Sequence, residues 1–278
     1  MVEISELERQ MNPRVAVPDV ERLIADMGAR GRNALDRLKG ARNLRYGEGK
    51  LNTLDIFPAG EDAPCVVLIH GGYWRALDKD DYAFAVEPLL AAGIAVASLN
   101  YDLCPSVTLD EIVVQCRKAI GWLRREGANY GFAADRFTLV GHSAGAHLAV
   151  MLMRQDWGGA EALPDDILKS VVAISGVYDL EPVRHITVNE QVRLTVETAR
   201  RNSPMLEPPR PVCPLLVAIG EAETPMWIQQ SLDFHAVARD NGVDASLLRV
   251  PDANHFDTAL VLGDADHALT RAIVERAR

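Results

Sequence analysis

Ser143 stands in the pentad Gly141-His142-Ser143-Ala144-Gly145, between the apolar run Phe-Thr-Leu-Val and the segment Ala-Gly-Ala-His-Leu-Ala-Val. That setting predicts a sharp strand-to-helix turn, which would lift the serine hydroxyl clear of a sheet for nucleophilic attack. Crowding of the backbone at such a turn leaves no space for side chains at positions 141 and 145, hence the two glycines. The helix that follows would offer free N–H groups and the positive end of its dipole to a developing oxyanion. The pentad alone is a weak signal; flanked by a buried strand and an apolar-striped helix it is a strong one.

Acyl transfer needs two N–H donors aimed at the tetrahedral oxygen. One is expected from Ala144, the residue after the nucleophile. The other is expected from His70-Gly71-Gly72-Tyr73-Trp74, which directly follows the apolar run Cys65–Ile69. Glycines let that backbone approach a substrate closely, so Gly72 and Tyr73 are the candidate donors. A phosphate-binding loop of a dinucleotide fold would need G-x-G-x-x-G, which His-Gly-Gly-Tyr-Trp-Arg does not supply.

The general base comes from seven histidines. His70 and His142 belong to the two loops above and are expected to face loop backbone. His147 follows the pentad on a helix, His185 lies in a charged insertion, and His235 and His267 lie on late helices. His255, in Val250-Pro-Asp-Ala-Asn-His-Phe256, alone follows the final strand-like run, where a loop can swing it over the sheet edge toward Ser143. The acid should follow the preceding run Leu215–Ile219, in Gly220-Glu-Ala-Glu-Thr-Pro225. Glu223, deeper in that loop, is preferred; Glu221 competes, and Asp179 is the outsider, otherwise read as a cap. The acid would orient His255 and stabilise its imidazolium without taking the proton.

The elements that must position these groups are legible as a pattern. Strand-like apolar runs occur at Cys65–His70, Ile94–Leu99, Phe137–Val140, Val171–Ile174, Leu215–Ile219 and Ser246–Val250, as expected for parallel strands buried on both faces. Helical stripes separate most of them, the clearest being Ile112, Val113, Cys116, Ala119, Ile120 and Leu123. Alternation of this kind predicts an α/β fold, a mostly parallel twisted sheet with helices on both faces and right-handed crossovers. Ahead of it, Pro18 to about Lys39 reads as a helix, and Leu44–Tyr46 with Thr53–Phe57 as a hairpin turned at Gly47-Glu48-Gly49. Residues 1–40 are thus a helical lead-in to one domain covering residues 1–278. Residues from about Asp179 to Pro211 break the rhythm and end Pro-rich, which reads as a small helical lid insertion.

Composition narrows the partners. The chain has 278 residues, 48% of them hydrophobic and 24% charged, enough for one large domain with a sizeable core. Its formal charge of −10 argues against nucleic acid and anionic membranes, which need basic patches. Arg30, Arg32, Arg37 and Lys39, the nearest thing to a cluster, have acidic neighbours and read as a solvated helix face. The four cysteines show no C-x-x-C spacing and read as buried small hydrophobes of a reducing compartment. The acidic, amphipathic N-terminus lacks the features of a signal peptide, and no apolar stretch approaches membrane-spanning length, so a cytoplasmic location is expected. The expected partner is a small-molecule substrate, with homodimerisation left open and no metal or cofactor implied.

Four motifs, His70-Gly-Gly-Tyr-Trp74, Gly141-His-Ser-Ala-Gly-Ala-His-Leu-Ala149, Ser175-Gly-Val-Tyr-Asp-Leu-Glu-Pro182 and Asn254-His-Phe256, resemble those of kynurenine formamidases (arylformamidases), a family of the α/β-hydrolase superfamily. The likeness runs from about residue 45 onward. It implies the α/β-hydrolase fold and hydrolysis of N-formyl-kynurenine or a similar N-formyl aryl amine. The family generally carries Asp where this chain has Glu223, in a stretch otherwise similar (Glu-Thr-Pro, an aromatic, then Gln-Ser). Tyr73 and Trp74 could wall the substrate with aromatic surface; packing beneath the loop is the other role open to Trp74. A carboxylesterase for small acyl esters shares the scaffold, and a non-catalytic binding protein of this fold would be expected to lack one of the groups that are all present here.

Overall fold

Eight strands form one sheet in the computed structural model, which describes residues 5–159 and 163–278. In chain order they are β1 Ala41–Arg45, β2 Thr53–Phe57, β3 Cys65–Ile69, β4 Ala95–Leu99, β5 Phe137–His142, β6 Leu168–Ile174, β7 Leu215–Gly220 and β8 Ala245–Val250. The sheet order is β1-β2-β4-β3-β5-β6-β7-β8. The first hairpin is antiparallel, with Leu44 opposite Leu54, and β2 also runs antiparallel to β4. All other pairs are parallel. Every residue of β3, β4, β5 and β7 is buried, as their uninterrupted apolar runs require.

Eleven α-helices are described: α1 Glu6–Met11, α2 Pro13–Ala16, α3 Val20–Leu35, α4 Val86–Ala91, α5 Leu109–Glu126, α6 Ala144–Met153, α7 Asn189–Val192, α8 Val196–Arg201, α9 Pro225–Asp240, α10 Asp257–Leu260 and α11 Ala268–Ala277. The predicted stripe of α5 is buried residue for residue, and a capping box between Thr108 and Glu111 sets its start. α6 is buried all round, as a helix running through the core must be. Two buried clusters, one on each face of the sheet, make up the core.

Chain order reverses beside β3, whose neighbours are β4 on one side and β5 on the other. In open α/β sheets such a reversal leaves a crevice outside the carboxyl ends of the strands. The loops that leave β3 and β5 here are His70–Trp74 and the pentad of Ser143.

Two sequence expectations change. The lead-in is three helices, not one: α1 and α2 precede α3, and each is started by a capping side chain, Ser5 for α1 and Asn12 for α2. Met1–Ile4, part of the segment read for a signal peptide, lies outside the described residues. The segment 179–211 is helical, with a 3-10 turn at Pro182–His185 followed by α7 and α8, but it lines neither cavity at Ser143 and His255. Its short helices pack against the core through Val183, Val188, Val192 and Ala199 instead. The cover over those cavities is the N-terminal segment, through Asn12, Pro13 and Arg14 on one side of His255 and Gln10, Pro13 and Ala16 on the other. The four cysteines are buried and unpaired. No helix among the described residues is long and apolar enough to cross a membrane.

Candidate active site

Ser143 occupies a strained backbone position, φ 56° and ψ −119°, between β5 and α6. A non-glycine residue there costs of order 1–3 kcal/mol and persists only where the surroundings fix it. Two close approaches fix it. A Cβ on Gly145 would lie 2.0 Å from the Ile69 carbonyl oxygen, and one on Gly141 would lie 2.1 Å from the Gly145 carbonyl oxygen. The turn is therefore clamped between β3 and its own first helical turn, as the pentad predicts.

His255 Nε2 is 3.0 Å from Ser143 Oγ, and His255 Nδ1 is 2.7 Å from Glu223 Oε2. The structure brings Glu223, not Glu221, to the histidine. Glu221 is half-exposed and pairs with Arg249 at 3.0 Å, while Asp179 accepts from the Glu181 N–H. The side chain of Glu223 is fully buried. Its other oxygen accepts from Ser175 Oγ at 2.5 Å and from the Gly220 N–H at 3.0 Å. A buried carboxylate is tolerated when its lone pairs are filled in this way.

Several residues that hold this relay were not singled out from the sequence. Ser175, just past β6, sits at φ 50° and also accepts the Trp227 indole N–H at 2.8 Å through its carbonyl. Trp227 in turn packs edge-on against the His255 ring, centroids 4.7 Å apart. Thr258 Oγ lies 3.0 Å from Ser175 Oγ and donates to the His255 carbonyl at 2.9 Å. Their signals were membership of the Ser175 motif, position after His255 and, for Trp227, the aromatic of the Glu-Thr-Pro stretch.

His142 does more than face loop backbone. The Tyr82 hydroxyl is 2.8 Å from its Nδ1, and its Nε2 is 2.9 Å from the His255 carbonyl. Burial lowers its pKa to about 3, with the neighbouring His255 adding to the effect. The neutral ring then accepts from Tyr82 and donates to the His255 carbonyl, which fixes the loop that carries His255. His147 donates through Nε2 to the Asn202 carbonyl, and His70 stacks on Tyr101; burial lowers both to about 4. His185, His235 and His267 stand apart from Ser143, the first exposed beside Glu181 and the last capping α11.

These three buried imidazoles make a prediction. Between pH 6.5 and about 4 the unfolded chain binds protons at His70, His142 and His147 that the native state refuses. Stability is therefore whole above pH 6.5 and is lost as the pH falls. The slope is at most about 4 kcal/mol per pH unit, three groups at ~1.4 each. Urea midpoints at pH 7.5 and 5.5 check this: a midpoint unchanged or raised at 5.5 contradicts it.

The loop after β3 has three successive residues at positive φ, Gly72 at 104°, Tyr73 at 51° and Trp74 at 58°. Glycine is required at 72, where a Cβ would meet the Ala76 carbonyl oxygen at 2.0 Å. The N–H groups of Gly72, Tyr73 and Ala144 donate to no acceptor among the described residues, although Tyr73 and Ala144 are buried. Buried N–H groups without partners are rare, and Gly72 and Tyr73 line the same cavity as Ser143. The Tyr73 hydroxyl donates to the Met11 carbonyl at 2.6 Å, tying the loop to the N-terminal cover.

Trp74 requires a correction. It is fully buried and does not line the cavity expected to hold substrate. Its positive φ turns the side chain inward, edge-on to His147 at 4.9 Å, so its role is packing beneath the loop. The cavity opens beside Ser143 and reaches Asn12 and Arg14 of the N-terminal cover. Tyr73, Tyr82, Ile24, Leu77 and Phe256 give it apolar surface, and Ser143 and His255 lie on its wall.

Comparison with known proteins bears on the family of the chain. The BD-FAE family profile matches residues 54–236. The chain is similar to kynurenine formamidase of Salmo salar, 32% identical over 97% of this chain and 95% of that protein. It is 30% identical to kynurenine formamidase of Danio rerio, over 95% of this chain and 91% of that protein. It is also 29% identical to esterase LipQ of Mycobacterium tuberculosis, over 78% of this chain and 57% of that protein. Among solved structures, a candidate thioesterase from Silicibacter sp. superposes with a TM-score of 0.83 at 27% identity, covering 96% of this chain and 98% of its own. With two relatives at or above 30% identity matched over nearly their whole length, the chain belongs to the kynurenine formamidase family of α/β-hydrolases and is a hydrolase of small acyl groups.

Proposed function

We propose that this hydrolase removes the formyl group of N-formyl aryl amines such as N-formyl-kynurenine, with Ser143 as nucleophile, His255 as base and Glu223 as the acid that orients it. The observation that carries the catalytic part is the relay itself, 3.0 Å from Ser143 to His255 and 2.7 Å from His255 to Glu223, in a cavity also lined by Gly72 and Tyr73, whose N–H groups have no partner among the described residues. The choice of acyl group rests on the relatives that carry the formamidase name over nearly the whole chain.

Ser143 Oγ attacks the formyl carbon as His255 Nε2 takes its proton. The carbonyl oxygen becomes an oxyanion held by the N–H of Ala144 and those of Gly72 and Tyr73. His255 returns the proton to the departing amine, and a formyl ester remains on Ser143. Water, deprotonated by the same imidazole, hydrolyses it to formate. An aryl amine shares its lone pair with the ring, which makes it a better leaving group than an alkyl amine.

A second reading, hydrolysis of short carboxylic esters, has support in the likeness to esterase LipQ. Values of kcat/KM for N-formyl-kynurenine and p-nitrophenyl acetate separate the two. The formamide is expected to be the better substrate; ester turnover with no formamide hydrolysis would sink the formamidase reading.

A further inference from the structure

The cavity at Ser143 has the opposite sign to the protein that contains it. The chain carries a formal charge of −10, yet the cavity is lined by two guanidinium side chains, Arg14 and Arg75, and by no carboxylate. Apart from the base, its other titratable lining groups are neutral: burial raises the phenols of Tyr73 and Tyr82 and lowers His142. The neighbouring cavity, beyond His255, has Glu223 on its wall and no cation.

Arg75 follows the loop of Gly72 and Tyr73 and is half-buried. One terminal nitrogen donates to Gln191 Oε1 at 2.5 Å. Its Nε is buried and has no acceptor among the described residues. Burial and then the charge of Arg14 act against its ionised form, a penalty that an anion between the two would relieve. Glu8 and Glu190 act on Arg75 only through space. The Glu8 carboxylate is already filled by Asn12 and by the N–H and hydroxyl of Thr187. Arg14 sits in α2, on the cover; its ion pair to Glu21, at 3.9 Å, joins two exposed side chains and is weak for that reason.

We propose that Arg75, assisted by Arg14, is a carboxylate-binding subsite, and that the enzyme prefers anionic substrates whose leaving group bears the carboxylate. A formyl group has no atom to carry that charge, so the anion belongs to the amine or alcohol that departs. The planar fork of Arg75 suits bidentate capture of a carboxylate beside the reacting bond. The inference rests on the reading of Ser143 as the nucleophile.

Two matched substrate pairs test it: N-formylanthranilate against its methyl ester, and 4-acetoxybenzoate against its methyl ester. The wild type is expected to favour the anionic member of each pair by about tenfold or more in kcat/KM, with a preference that shrinks as salt is added. Arg75→Gln should cut that preference about ten- to a hundredfold, chiefly through KM, and Arg75→Lys should restore part of it. Arg14→Gln, on an exposed side chain that cannot threaten folding, should cut it by about threefold. Equal loss on both members of each pair with Arg75→Gln, or a wild type indifferent to charge, overturns the subsite. Formamides hydrolysed without charge preference would leave the proposed function standing and this inference rejected. Esters showing the preference while formamides stay intact would do the reverse.

Discussion

Replacing Ser143 by alanine is expected to lower kcat by about 10⁴- to 10⁶-fold, with the fold and thermal midpoint essentially retained. The size follows from the relay. Without the hydroxyl, His255 Nε2 loses its partner at 3.0 Å, and the remaining N–H donors can stabilise only attack by water. Retained folding follows from packing. Among the described residues the hydroxyl has no protein partner besides His255, and the turn is held by Gly141, Gly145 and the Ser143 N–H bond to the Ile174 carbonyl. Turnover of N-formyl-kynurenine, with melting followed by circular dichroism, measures both. A variant that keeps a tenth of the activity would remove Ser143 from the mechanism.

The second large effect separates the two carboxylates. Glu223→Gln should reduce kcat by about 10³- to 10⁴-fold, because an amide can hold His255 in the wrong tautomer and offers no charge to the imidazolium. It should also cost about 1–3 kcal/mol of stability, since Ser175 and Gly220 lose a charged acceptor in a buried site. Glu221→Gln should change kcat less than twofold, as an exposed pair with Arg249 contributes about 0–1 kcal/mol and is screened by salt. Steady-state rates of the two variants decide the matter, and a reversal of their order would exclude Glu223 as the acid.

How much of this was legible in the sequence depended on how local each constraint is. The turn at Ser143 needs only its own glycines and the strand and helix beside it, so the pentad read with its flanks announces it. The stripe of α5 and the buried runs of β3, β4, β5 and β7 are set by burial on a regular period, and they read directly. The choice between Glu223 and Glu221 is different, because it depends on where the loop after β7 turns. The sequence supports a preference, and the Glu223 bonds to Ser175 and Gly220 supply the reason.

Features that depend on distant contacts were hidden. Trp74 reads either as a substrate wall or as packing beneath the loop, and the run of positive φ before and at it sends the ring into the core. The cover over the site was sought in the Pro-rich insertion, whose composition suggests a lid. It is formed by residues at the other end of the chain. They are held there by the Tyr73 hydroxyl at Met11, Thr224 at the Gln10 carbonyl and Thr187 at Glu8. None of those bonds leaves a periodic trace in the sequence. Arg75 was passed over for the same reason, since its meaning comes from the cavity that the cover closes.

The most direct test of the account is labelling with a small alkyl phosphonofluoridate, followed by peptide mass spectrometry and assay of N-formyl-kynurenine turnover on the same sample. The phosphonyl group should map to the peptide that carries Ser143, and formamide hydrolysis should fall in proportion to the labelled fraction. Complete labelling of Ser143 with turnover undiminished would contradict the central claim that this serine is where the formyl group is transferred.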